Sequence, residues 1–185
     1  MATFVFLAGI NNSGPEHWQR HFMAKLPGSV WVEHSDWDAP EAEAWVAEMD
    51  QTVAETAGAL VLVAHSLGCL LALEWLAAHA GAEAGRVKGL FMVAPPDPQS
   101  PAYPAHLAKG FEPGYATPAP SPTIVVASAD DPYGSMDYAR RCAAAWNAPL
   151  VNIGPKGHIN AGSGLEDWPE GWSILQSFLE NHRSL

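Results

Sequence analysis

Basic residues are scarce in this 185-residue chain: nine Lys and Arg stand against twenty Asp and Glu, a formal net charge of −11. So acidic a surface repels phosphates, which argues against nucleic acid or an anionic membrane as a partner. Cysteine is just as scarce. The two present, Cys69 and Cys142, fall inside helical patterns without metal-ligand spacing. They read as buried thiols, not as a disulfide framework. No apolar run reaches transmembrane length. The apolar start, MATFVFLAGINNSG, lacks a basic leader region and reads as a strand, not a signal peptide. The expected compartment is therefore the cytoplasm. Cofactor signatures are missing as well: there is no H-E-x-x-H, no G-x-G-x-x-G and no G-K-[ST]. The chemistry expected needs no metal and no organic cofactor. Neither an internal repeat nor a second domain is visible, so residues 1–185 read as one domain.

What is present is an alternation of short apolar runs and helical patterns. Strands are expected at Thr3–Ala8, Val30–His34, Ala59–Ala64, Val87–Ala94, Thr123–Ser128 and Pro149–Ile153. Most are continuous apolar runs, as in strands buried on both faces of a parallel sheet. Helices are expected to open near SGPEHW, where Ser13 and Glu16 fit a capping box and Pro15 suits a first turn. Further helices are expected over Ala39–Ala57, Leu67–Ala80, Ser135–Trp146 and Pro169–His182. Such alternation predicts an open α/β sheet of about six strands, mostly parallel, with helices on both faces. In such a sheet the functional residues lie just after strand ends. One stretch breaks the rhythm. Pro95–Pro122 holds nine prolines and no clear strand or helix. An insertion of this kind after a strand reads as a lid or pocket wall.

The stretch VLVAHSLGCLLALEWLAAH changes period at His65-Ser66. A strand ends there and a helix begins, so Ser66 sits on the turn between them. AHSLG is close to the G-x-S-x-G elbow, which lifts a serine oxygen above the sheet and points a helix N-terminus at a developing anion. Ala64 replaces the first glycine, a departure from the pattern. Serine also caps helices, so the elbow needs partners in the order Ser, Asp or Glu, His. SADDPYG offers Asp130 and Asp131 directly after a strand, and both stay open on this reasoning; Asp97, after the preceding strand, is the less favoured candidate for the acid. GHIN offers His158 after the last strand, where the base belongs. His17, His21, His79 and His182 lie in helical patterns, His34 comes too early and His106 lies in the proline-rich stretch. His65 adjoins the serine and reads as structural. The oxyanion donors expected are the backbone amides of Leu67 and, from the AGINNSG loop, Ile10, with Asn11 next.

The Gly9–Trp18 loop with its HW pair, AHSLG, SADDPYG and GHIN together resemble the YdeN/retinoblastoma-binding-protein family of small serine hydrolases, in the α/β-hydrolase superfamily. The resemblance covers nearly the whole chain. It implies Ser66 as nucleophile, Asp131 in preference to Asp130 as acid, and His158 as base. It also implies a compact α/β-hydrolase fold without a large cap domain. The expected activity is hydrolysis of a small-molecule ester. Candidate pocket residues are Asn11, Trp18, His65 and Trp168. Two other activities fit the same residues: a protein-binding module with an inert triad, and an acyltransferase or amidase that uses the triad on another acceptor or bond.

Overall fold

The computed structural model describes residues 2–79 and 81–182. Six strands form a single sheet: β1 (Thr3–Leu7), β2 (Val30–Trp31), β3 (Leu60–His65), β4 (Val87–Val93), β5 (Thr123–Ala127) and β6 (Leu150–Asn152). Their spatial order is β2-β1-β3-β4-β5-β6, and every pairing is parallel. The order reverses between β1 and β3. The chain steps outward from β1 to β2, then crosses back to place β3 on the other side of β1. The chain leaves the carboxyl ends of these two strands toward helices on opposite faces, and a crevice opens between the connections.

All six residues of β3 are buried, which accounts for its unbroken apolar run. Helices α2 (Ala42–Glu55), α3 (Leu67–Ala78) and α4 (Met136–Ala145) cover one face of the sheet. Helices α1 (Trp18–Lys25) and α5 (Pro169–Asn181) cover the other. Apart from Glu74, the α3 helix is apolar on every face, because it is wrapped by β1, β3, α2 and the proline-rich segment. A Leu→Ala change inside it would cost ~2–5 kcal/mol.

Each expected strand exists, and the differences lie at the ends. Val30–His34 shortens to Val30–Trp31 and Pro149–Ile153 to Leu150–Asn152, because both are sheet edges that pair on one side only. The helix expected from Ala39 starts at Ala42. The Asp36 carboxylate accepts the Asp38 and Ala39 amides in a local turn, and Pro40 follows. The expected Leu67–Ala80 helix ends at Ala78 with His79 as its cap; Ala80 lies outside the described residues, as do Met1 and residues 183–185.

The Ser13–Glu16 capping box does not form. The first helix starts at Trp18, and the His17 ring caps it, its Nδ1 accepting the Gln19 amide at 3.2 Å. Ser13 is buried and donates its hydroxyl to Gln19 Oε1 instead. Gln19 in turn donates to the Leu7 and Val63 carbonyls, which locks the loop onto both central strands.

The proline-rich segment lies against the α2–α3–α4 face. Tyr103, Ala108 and Phe111 are buried in that core. Lys109 bonds back to Pro40 and Ala42, and Trp146 Nε1 donates to the Gly114 and Thr117 carbonyls. Its residues 96–108 then supply one wall of the crevice described next.

Candidate functional site

Ser66 stands where β3 turns into α3, with φ 54° and ψ −126°. A non-glycine residue rarely adopts such angles, and the neighbours hold it there. Its amide donates to the Val93 carbonyl of β4. Gly68, two residues on, packs so close to β1 that a Cβ would run into the Leu7 carbonyl. Gly9 approaches from β1: a Cβ there would lie 2.8 Å from Ser66 Cβ and 3.2 Å from Oγ. Ala64 is fully buried in register with Leu7 and Met92, so the smaller glycine is not required at that position.

His158 lies in the loop after β6. Its Nδ1–H meets both carboxylate oxygens of Asp131 at 2.9 Å. Its Nε2 accepts from Ser66 Oγ at 2.7 Å. The ring is 10% exposed and the Asp131 side chain 2% exposed, so the chain of hydrogen bonds is largely shielded from water. Asp130 makes no hydrogen bond to His158. Its carboxylate accepts the Ser128 hydroxyl and the Gly157 amide, and these bonds hold it below the usual carboxylate range. The paired aspartates therefore divide the work: one meets the imidazole, the other pins the loop that carries it.

Two buried side chains hold that loop from beneath. Trp18 Nε1 donates to the Ile159 carbonyl, and His65 Nε2 donates to the His158 carbonyl, both at 2.9 Å. Burial first, then the neighbouring His17 and His158 rings, push the His65 imidazole well below its ordinary value. It stays neutral, and its hydrogen-bond direction is fixed.

The β1–α1 loop forms the other wall. Asn11 and Asn12 take left-handed backbone angles, which asparagine tolerates. Among the described residues the Leu67 and Ile10 amides donate to no acceptor. The Asn11 amide is taken, donating to the Trp37 carbonyl at 2.8 Å.

A cavity of about 440 Å³ opens above Ser66, within the range of small-molecule sites. Asn11 and His65 line it, as do Ile10, Leu67 and His158. Trp18 and Trp168 do not. Both rings are buried in the core beneath, in contact at 5.1 Å between centroids, where they seal α1 against the start of α5. The lining also takes His17 of the HW pair, Tyr133 of SADDPYG and, from the proline-rich segment expected to form a wall, Tyr103. Among the described residues no group of three or more His, Cys, Asp or Glu side chains is arranged to hold a metal. Cys69 and Cys142 are both free and buried. Among the described residues no helix is long and apolar enough to cross a membrane.

The chain resembles several solved structures. A YdeN-like hydrolase from Pectobacterium atrosepticum shares 29% identity at a TM-score of 0.82, over 97% of this chain and 91% of that one. The ydeN gene product of B. subtilis shares 19% at 0.73, over 97% and 100%. A monoacylglycerol lipase from Paleococcus ferrophilus shares 13% at 0.68, over 97% and 96%, and like the B. subtilis protein it speaks to the fold alone. No curated protein matches at a significant level. Residues 4–177 match the model of the serine hydrolase family. With that match spanning nearly its whole length, the chain belongs to the serine hydrolases, on a single-domain α/β-hydrolase fold.

Proposed function

We propose that this hydrolase cleaves carboxylic esters of small molecules through Ser66, His158 and Asp131. The observation that carries the reading is the unbroken line of hydrogen bonds from Ser66 Oγ through His158 to Asp131, at 2.7 and 2.9 Å. In this reading His158 Nε2 removes the Ser66 proton as Oγ attacks the ester carbonyl. Asp131 holds the proton on Nδ1 and stabilises the imidazolium that forms. The carbonyl oxygen becomes an oxyanion, and the unpaired Leu67 and Ile10 amides are the donors suited to receive it. His158 then protonates the departing alcohol. Water, activated by the same ring, attacks the acyl-serine and restores the free enzyme.

The test is intact-mass spectrometry after incubation with a fluorophosphonate, alongside Ser66→Ala and His158→Ala. One adduct on the wild type, absent from Ser66→Ala and slow in His158→Ala, is the expected result. Turnover of para-nitrophenyl esters against the matching anilides then separates ester from amide cleavage. A folded wild type that takes no adduct would overturn the triad.

A further inference from the structure

Two residues that line the cavity above Ser66 each carry a buried polar atom that the proposed reaction does not use. His17 lines it from the β1–α1 loop and is 3% exposed. Because Nδ1 accepts the Gln19 amide, the neutral ring must carry its hydrogen on Nε2. That Nε2–H is buried and has no partner among the described residues. The ring stays neutral: burial, followed by the neighbouring His158, lowers its pKa to about 3. Tyr103 lines the facing wall, in the proline-rich segment, and is 9% exposed. Its hydroxyl is likewise buried and without a partner. Burial raises it to about 12, so it remains a donor. Buried donors are normally paired, and leaving one unpaired is costly. Four other nitrogens are also orphaned, on His21, Trp31, His34 and Trp168, but none of those residues lines this cavity.

Charge defines what the two donors can meet. The cavity lining includes no Lys, Arg, Asp or Glu. An anionic substrate would find no counter-ion, and a cationic one no carboxylate. Neutral N–H and O–H donors instead suit an ether, hydroxyl or carbonyl oxygen. We propose that His17 and Tyr103 form a polar subsite that selects uncharged esters bearing an oxygen acceptor away from the scissile bond. This rests on the ester-cleaving reading above and narrows its substrate class.

The test compares isosteric esters. In one series, para-nitrophenyl heptanoate is set against analogues with an ether oxygen in place of a mid-chain methylene. In the other, hexyl acetate is set against alkoxyalkyl acetates of equal length, followed by acid release. The expected result is at least one ether ester favoured in kcat/KM by about fivefold, the effect of one neutral hydrogen bond. Tyr103→Phe removes only the hydroxyl. His17→Asn keeps a side-chain acceptor to cap the helix and removes the distal donor. One or both should bring the ratio toward unity. Equal turnover of every pair by the wild type, or a preference that survives both changes, would overturn the subsite and leave the esterase standing. Failure to cleave any of these esters, with Ser66 still labelled, would overturn both.

Discussion

Gly9→Ala probes the site through a single methyl group. Gly9 does not use left-handed backbone angles, so alanine meets no conformational penalty there. The added Cβ would lie 2.8 Å from Ser66 Cβ, 3.2 Å from Oγ and 3.4 Å from the Leu67 nitrogen. An unstrained carbon contact is about 3.5–4.0 Å, so the two segments must part by roughly 1 Å. Ser66 is held by its bond to Val93 and by α3 pressed on β1. The loop that bears Ile10 must therefore yield, and the distance from its amide to the serine lengthens. A misplacement of about 1 Å at reacting atoms lowers the rate about 10²-fold. Overpacking costs about 1–3 kcal/mol, offset by about 0.4–1 kcal/mol from the stiffer unfolded chain. The net change in Tm should then be a drop of no more than about 10 °C. Ester turnover, fluorophosphonate labelling and a thermal melt together test this. Lower kcat in a cooperatively folded protein is expected. Unchanged kcat/KM would refute the claim that the Gly9 loop sets the oxyanion geometry.

Asp131→Asn should lower kcat about 10⁴-fold, by leaving the imidazole in the wrong tautomer. Asp130→Asn, which loosens the Gly157 amide and leaves the triad intact, should cost far less; equal losses in steady-state assays would contradict the division between the two aspartates. Trp18→Phe orphans the Ile159 carbonyl and thins the core, and should lower stability in urea by ~2–4 kcal/mol. A melt indistinguishable from wild type would show that the loop does not need the indole. Buried neutral histidines also make stability depend on pH. His17 falls from 6.5 to about 3 on folding, by burial and then by His158, and His65 falls well below 6.5. Unfolded, both rings gain a proton below pH 6.5; folded, they resist it. Their contribution is complete above pH 6.5 and is lost as pH falls toward the folded values, by about 1.4 kcal/mol per pH unit for each ring. Urea unfolding at stepwise lower pH measures this, and a flat profile between pH 6.5 and 5 would exclude it.

The sequence displays all six strands because most of them are buried on both faces, and continuous apolar runs are hard to mistake. It displays Ser66 and His158 because an elbow and a post-strand loop are local. It leaves the two aspartates unresolved, since which carboxylate meets an imidazole 27 residues on depends on how the turn closes. The Trp18–Ile159 bond joins residues 141 apart and has no local signature. For the same reason the sequence places Trp18 and Trp168 in the pocket: an indole beside a loop in sequence can lie beneath it in space. The failed capping box at Ser13 reflects competition. His17 offered the first helical turn an acceptor, and Gln19 claimed the serine for the strands.

The serine grows from the middle of the sheet, while the imidazole hangs from its rim. β3 is flanked on both sides; β6 is three residues long and pairs with β5 alone. Outermost strands are the first to fray, and opening there needs far less than the full unfolding free energy. The molecule thus carries Ser66 on its most durable part and the histidine that faces it on one of its most fragile. Under mild denaturant, turnover should fade before the buried tryptophans see water, and return as soon as one short strand re-docks.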